Sequence, residues 1–238
     1  MCSVVQKTFK KGNQLGTIYR SCEAKIGCCH SMSYSINTLT DNCYKGTTCL
    51  INKLDIRDEK QLDSVEAQIT VAKISILQHT PIVGNFDFEH YKAIHKFIFE
   101  DLYDWAGNPR VVDISKKGTS FVKAENIAEI AKACFGRLKN QNYFKNLGLD
   151  DFVEKITDFY CVTNNLHPFR EGNGRTQRVF LSQLALNAGY EMNFSNIDAD
   201  ELILATIQAS NGIDTYLKDV LREIINPIEP DFNISMQL

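Results

Sequence analysis

From Asp58 onward, apolar side chains recur at intervals of three and four residues in one segment after another, which commits the body of the chain to helices packed on helices. Asp58 to Leu77 carries Leu62, Val65, Ile69, Ala72 and Ile76 on one stripe, with Asp58 as its start signal. Phe88, Tyr91, Ile94 with His95, Ile98 and Leu102 keep the spacing as far as Trp105, and Gly107-Asn-Pro109 then stops that helix. Further helices are expected at Glu125 to Lys139, Asp151 to Leu166, Arg175 to Ala188 closed by Gly189, Asp198 to Ala209, and Ile213 to Ile225. One segment breaks the rule. Val111, Val112, Asp113 and Ile114 alternate over a β-prone run, Lys116-Lys-Gly118 is turn-like, and Thr119, Ser120, Phe121 and Val122 are β-prone again. The expected fold is therefore all-α, a helical bundle with one small β-hairpin.

The first forty residues lack this periodicity. Gly12, Gly16 and Gly27 among many Ser and Thr read as a mobile arm with one short helix, so residues 1–40 are set apart from a domain at 41–238. A net charge of -3 and a pI near 6.0 supply no field for a phosphate backbone, and no long basic run compensates, so nucleic acid is not expected as a partner. No apolar run is long enough to span a bilayer and the start lacks a signal-peptide core, which predicts no membrane partner and a cytoplasmic location. Six of the eight cysteines (Cys2, Cys22, Cys28, Cys29, Cys43, Cys49) lie in the arm and just after it. Their C-x5-C spacings are longer than zinc sites use, so reduced thiols are expected rather than a metal cluster or a disulfide framework.

Chemistry concentrates between the fourth and fifth helices, in His167-Pro-Phe-Arg-Glu171-Gly-Asn173-Gly-Arg175-Thr-Gln-Arg178. Gly172 and Gly174 permit a backbone that turns successive N–H groups toward one point at a helix N-terminus, and Asn173 tolerates a left-handed conformation there. Phosphate oxygens suit such a nest. Glu171 offers magnesium a hard oxygen ligand. Arg175 and Arg178, three apart on one helix face, can neutralise charge moving onto leaving phosphates. His167 titrates close to neutral pH and can take a proton from an incoming hydroxyl.

At this loop the sequence resembles the Fic (filamentation induced by cAMP) family, whose motif H-x-F-x-[D/E]-G-N-G-R-x-x-R is matched at every specified position. Tyr44-Lys-Gly-Thr-Thr-Cys-Leu-Ile-Asn-Lys-Leu54 and Trp105-Ala-Gly-Asn-Pro-Arg110 extend the resemblance over roughly residues 41 to 228. The resemblance implies a protein adenylyltransferase that moves AMP from ATP onto a Ser, Thr or Tyr hydroxyl of a target protein. It makes His167 the base, Glu171 the Mg2+ ligand, and Gly172, Asn173 and Gly174 the anion hole. Arg175 then meets the β-phosphate, and Arg178 the γ-phosphate or an inhibitory glutamate. Val111 to Ile114 and Thr119 to Val122 become a flap that holds the target by strand addition. Asn211 and Tyr216 fall where relatives line the adenine pocket.

The chain departs from the family in regulation. The inhibitory pattern [S/T]-x-x-x-E-[G/N] is intact at neither end, and its nearest N-terminal candidate, Ser31-Met-Ser-Tyr-Ser35-Ile-Asn37, has serine where the glutamate belongs. Unregulated activity, or control by a small antitoxin-like inhibitor that supplies the glutamate, is expected. Two alternatives stay open: a restrained nucleotide-binding toxin module in complex with such a partner, and transfer of another nucleotide or phosphate group. A metal hydrolase built on His167 and Glu171 fails on ligand count, since such sites want three protein ligands and His90 and His95 suit ordinary core or surface roles.

Overall fold

In the computed structural model, residues 42–116 and 119–229 are described, together with the backbone segments 9–11, 14–16 and 35–36. Contacts divide the chain into two compact units, Met1–Ser31 and Met32–Leu238. The described part of the first is a β-hairpin of β1 (Phe9–Lys11) and β2 (Gln14–Gly16), with Phe9 opposite Gly16. The short helix expected in the arm, and Cys2, Cys22, Cys28 and Cys29, lie outside the described residues.

In the second unit the helices are α1 (Glu59–His79), α2 (Phe88–Phe99), α3 (Ile127–Asn140), α4 (Leu149–Leu166), α5 (Asn173–Ala188), α6 (Ala199–Ser210) and α7 (Thr215–Ile224). Asp58 caps α1 by accepting from the Gln61 amide, as a start signal should. Asp198 does the same for α6. Gly189 ends α5 at φ +92°, a conformation that costs glycine little. The core is aromatic: Tyr91, Phe135, Phe159, Phe169 and Phe180 join α2, α3, α4 and α5 through edge-on and stacked rings.

The strands of this unit are short. A hairpin forms where one was expected, from β4 (Ile114–Lys116) and β5 (Thr119–Ser120) with Ser115 opposite Ser120, but its first strand begins at Ile114 and takes in Lys116, whereas Val111 to Asp113 stay outside the ladder. A third strand, β3 (Ser35–Ile36), lies antiparallel on β4, with Ser35 opposite Ser115 and Ile36 opposite Ile114. β6 (Tyr190–Met192) and β7 (Ile225–Pro227) make a separate pair that ties the end of α5 to the end of α7.

On α1 the buried face is rotated from the expected stripe. Leu62, Glu66, Thr70 and Leu77 face inward, whereas Ala72 and Ile76 are exposed. No helix among the described residues is long and apolar enough to cross a membrane.

Candidate active site

The loop from His167 to Gly172 is held by its own ends and by two neighbouring elements. α4 stops at His167, whose left-handed backbone (φ +40°) is unusual for a non-glycine residue, and its amide still bonds the Thr163 carbonyl. Asn173 closes the loop with reciprocal bonds of 2.8 Å each: its side chain accepts from the Phe169 amide and donates to the Phe169 carbonyl. This corrects the expectation for Asn173, which is the first residue of α5 and staples the loop rather than adopting a left-handed backbone. The left-handed residue is Gly172 (φ +79°), and a Cβ there would lie 2.1 Å from the Phe99 ring, so glycine is required on two counts. The first amides of α5 have no partner within the helix, and a helix N-terminus is where an anion is best received.

His167 is buried, and its ring stacks on Phe121 at 3.8 Å between centroids. Nδ1 lies 3.1 Å from the Asn164 carbonyl. A carbonyl can only accept, so Nδ1 carries a proton, and in the neutral ring Nε2 is then the basic atom. Glu171 uses Oε1 to accept from the Gly172 amide at 2.8 Å and from Arg175 at 3.3 Å. Its backbone carbonyl accepts from His95 Nε2 at 3.0 Å, and His95 Nδ1 in turn accepts from the Gly107 amide. Burial between the Phe99 and Phe169 rings pushes the His95 pKa down to about 3, so this imidazole stays neutral and fixes the loop sterically and by hydrogen bonding.

Arg175 and Arg178 do not share surroundings. Arg175 turns toward α1, where Glu66 (2.6 Å), Thr70 (3.1 Å) and Glu171 hold its guanidinium over the Phe99 ring. Burial alone lowers its pKa, but the carboxylates of Glu66 and Glu171 reverse that, and the charge is retained. Glu66 also accepts from the Tyr103 hydroxyl. Arg178 is half-buried one turn on, with its Nη1 3.4 Å from where a Gly174 Cβ would stand, at the mouth of the loop.

The hairpin is fastened to the same loop. Arg110, buried, donates to the carbonyls of His167 (2.9 Å), Val112 (2.7 Å) and Val122, and so ties both feet of the hairpin to the catalytic candidate. Its own amide bonds the Pro168 carbonyl, and the Val122 amide bonds that of Asn165. Val111, Asp113 and Ser120 are exposed, Val112 and Phe121 half-buried, and Ile114 buried; Asp113 accepts from the Ala124 amide. Asn211 and Tyr216 sit at the α6–α7 corner, where Asn211 donates to the Ile207 carbonyl and the Tyr216 hydroxyl to Glu201.

Sequence reasoning gave no role to Glu66, Thr70 or Arg110 and assigned His95 an ordinary core or surface role. The available signal was a carboxylate and a hydroxyl spaced four apart on an otherwise apolar inward face, Leu62, Glu66, Thr70.

Fold and loop together define a helical protein in which a helix N-terminus, the His167 imidazole and a flanking β-hairpin meet at one loop. A family model described as Fic/DOC family matches residues 85–185, which span α2, the hairpin and the loop. The chain is 31% identical over 183 residues to the probable protein adenylyltransferase Fic of Escherichia coli, covering 77% of this chain and 90% of that protein. It is 35% identical over 176 residues to the protein adenylyltransferase VbhT of Bartonella schoenbuchensis, where the match takes in 74% of this chain but 37% of VbhT's length. The crystal structure of BepC from Bartonella tribocorum with bound AMPPNP superposes with a TM-score of 0.74 at 29% identity, covering 79% of this chain and 97% of that one. This chain belongs to the Fic/DOC family.

Proposed function

We propose that this chain is a protein adenylyltransferase that transfers AMP from ATP to a Ser, Thr or Tyr hydroxyl of a target protein. The observation that carries the reading is the contact of His167 Nδ1 with the Asn164 carbonyl, which makes Nε2 the basic atom of the neutral ring, in the loop that leads into the N-terminus of α5. Relatives named as protein adenylyltransferases, and a neighbour that holds AMPPNP, support the same donor.

In the reaction the target hydroxyl oxygen attacks the α-phosphorus and its proton passes to His167 Nε2. The bond to the bridging oxygen breaks, and its electron pair leaves with pyrophosphate. The amides of Asn173 and Gly174, with Gly172 shaping the turn, stabilise charge on the phosphate oxygens, while Arg178 at the mouth faces the outer phosphates. Glu171 fits a magnesium ion: it is a partly exposed hard oxygen donor at the phosphate end of the site. The ion would neutralise the phosphates during transfer. Arg175 supports that end from behind, bound to Glu66 and Glu171. The hairpin from Val111 to Phe121 holds the target as an added strand, and Asn211 with Tyr216 borders the adenine. Because the incomplete inhibitory pattern of this sequence has Ser35 in place of its glutamate, a separate small antitoxin-like protein is the fitting source of any restraint on Arg178.

The test is incubation with α-labelled ATP, magnesium and a bacterial lysate, alongside His167→Ala. Label on protein that vanishes in the variant, while calorimetry shows ATP affinity within about twofold of wild type, is expected. Label supplied only by the γ-phosphate or by another nucleotide would overturn the choice of donor. Loss of ATP binding in the variant would overturn the role of base.

A further inference from the structure

Every hairpin has two edges, and in this one the edges are in different states. The β5 side runs into fixed structure: the Val122 amide bonds Asn165, the Val122 carbonyl accepts from Arg110, and Phe121 lies on the His167 ring. β4 is the middle strand, and its other edge carries β3, residues Ser35–Ile36 of this same chain. An unpaired strand edge presents a row of amide and carbonyl groups that any extended segment can complete, and here a segment of the chain itself completes it.

The register makes this more than edge protection. Ser35, Ser115 and Ser120 form one cross-strand row. The next row begins at Ile36 opposite Ile114, and in the same register Ile114 stands level with Phe121, the residue stacked on His167. Strands lie about 4.8 Å apart, so β3 runs roughly 10 Å from the backbone beside the catalytic candidate, and it is antiparallel to β4. An extended target segment held by the β4 edge needs the same amides and carbonyls in the same place. Two strands cannot share them.

We infer that the two-residue strand Ser35–Ile36 is an intramolecular occupant of the target-binding edge, and that a target strand must displace it before transfer. This rests on the reading of the hairpin as the place where targets are held. The restraint differs from one that acts on the phosphates, because it leaves ATP binding untouched and works only against the protein substrate. Tethering gives the arm a high effective concentration, but two residues make few ladder bonds, so displacement is within reach of a longer target segment. The residue at the glutamate position of the incomplete inhibitory pattern, Ser35, is in this structure part of β3 and paired with Ser115 of β4.

Full-length chain with Ser35→Pro and Ile36→Pro together is the test, because proline removes the amide and does not fit a paired strand. A Ser35→Ala, Ile36→Val chain, which keeps the strand, is the control. Melting temperature and ATP affinity should match wild type in both. Hydrogen exchange at the amides of Ile114–Lys116 should quicken in the proline chain alone, and labelling of lysate proteins from α-labelled ATP should rise roughly two- to tenfold. Unchanged exchange in the proline chain overturns the inference. A separate Ser115→Pro chain distinguishes the two layers of the reading. If it abolishes labelling while the arm prolines leave labelling unchanged, the arm does not compete and the inference fails. If labelling survives Ser115→Pro, the hairpin is not where targets are held, and that assignment fails instead.

Discussion

Replacing Glu66 by glutamine removes one negative charge and almost no volume, at a residue that touches neither end of the proposed reaction. The carboxylate lies 2.6 Å from Arg175 Nη2, and the two side chains are 11% and 23% exposed, so the pair is largely shielded from water. Breaking one partner of a buried ion pair costs about 3–5 kcal/mol. Thr70 and Glu171 still hold the guanidinium, and a glutamine oxygen still accepts from Tyr103, so the expected loss is about 2 kcal/mol. In a domain of this size that lowers the melting temperature by about 4–8 °C. The functional consequence follows from where the freed cation goes. Its remaining carboxylate is Glu171, the proposed magnesium ligand, so Glu66→Gln should raise the magnesium concentration needed for half-maximal transfer several-fold and change ATP affinity little without metal. Thermal unfolding of Glu66→Gln, Arg175→Met and the double variant gives the coupling directly, expected at about 1.5–2 kcal/mol. Additive effects in that cycle, or a Glu66→Gln chain that melts within a degree of wild type, would refute this account of Arg175.

Three further outcomes follow from the same geometry. Gly172→Ala should cost at least about 2 kcal/mol, from its positive φ and from a Cβ set into the Phe99 ring, and should weaken ATP binding more than tenfold by calorimetry; a fully active, stable chain would show that the α5 N-terminus is not fixed by this turn. His95 is neutral when folded, with its pKa held down by burial at about 3 against about 6.5 in the unfolded chain, so its contribution is complete above pH 6.5 and is lost as pH falls below that value. Urea unfolding at pH 7.5 and 5.0 should differ by about 2 kcal/mol from this residue, and an NMR titration that finds the His95 imidazole charged near pH 6.5 would contradict it. Arg110→Met strips three carbonyls of a donor and should cost about 3 kcal/mol or more; single-turnover transfer should fall well beyond the loss in folded fraction while ATP affinity holds, whereas equal losses in both would make Arg110 a purely structural residue.

The helices were legible because their periodicity is set by local sequence. The stripe of Tyr91, Ile94, His95 and Ile98 on α2 is buried as its spacing demands, and Leu102 is buried too although the helix ends at Phe99 rather than near Trp105; Asp58, Asp198 and Gly189 mark helix ends by their own backbone chemistry. β6 and β7 were not legible. Their pairing joins Tyr190 to Pro227 across two helices, and three-residue strands carry no period to read. β3 escaped for the same reason, since Ser35–Ile36 owes its strand to a partner about eighty residues away.

The rotated face of α1 is the more instructive difference, because apolar spacing assumes that the inward face of a helix serves only packing. Leu62 and Leu77 do pack inward, but between them the face is given to Glu66 and Thr70, which hold Arg175. A polar pair at helical spacing lowers the apparent amphipathicity of the face that carries it, so the stripe read from apolar residues alone swings toward Ala72 and Ile76, which in the fold are exposed. The conflict between pattern and burial thus falls at a residue that positions the site, where a buried charge is tolerated because it has a partner. Arg110 repeats the case in a loop: a cation with no stripe to interrupt leaves no trace in periodicity, and only three carbonyls brought together by the fold give it a place. In this chain the groups proposed to meet the phosphates are written contiguously from His167 to Arg178, because one turn must present them together. The groups that aim them, Glu66, His95 and Arg110, are dispersed over three other elements, because aiming needs only contact.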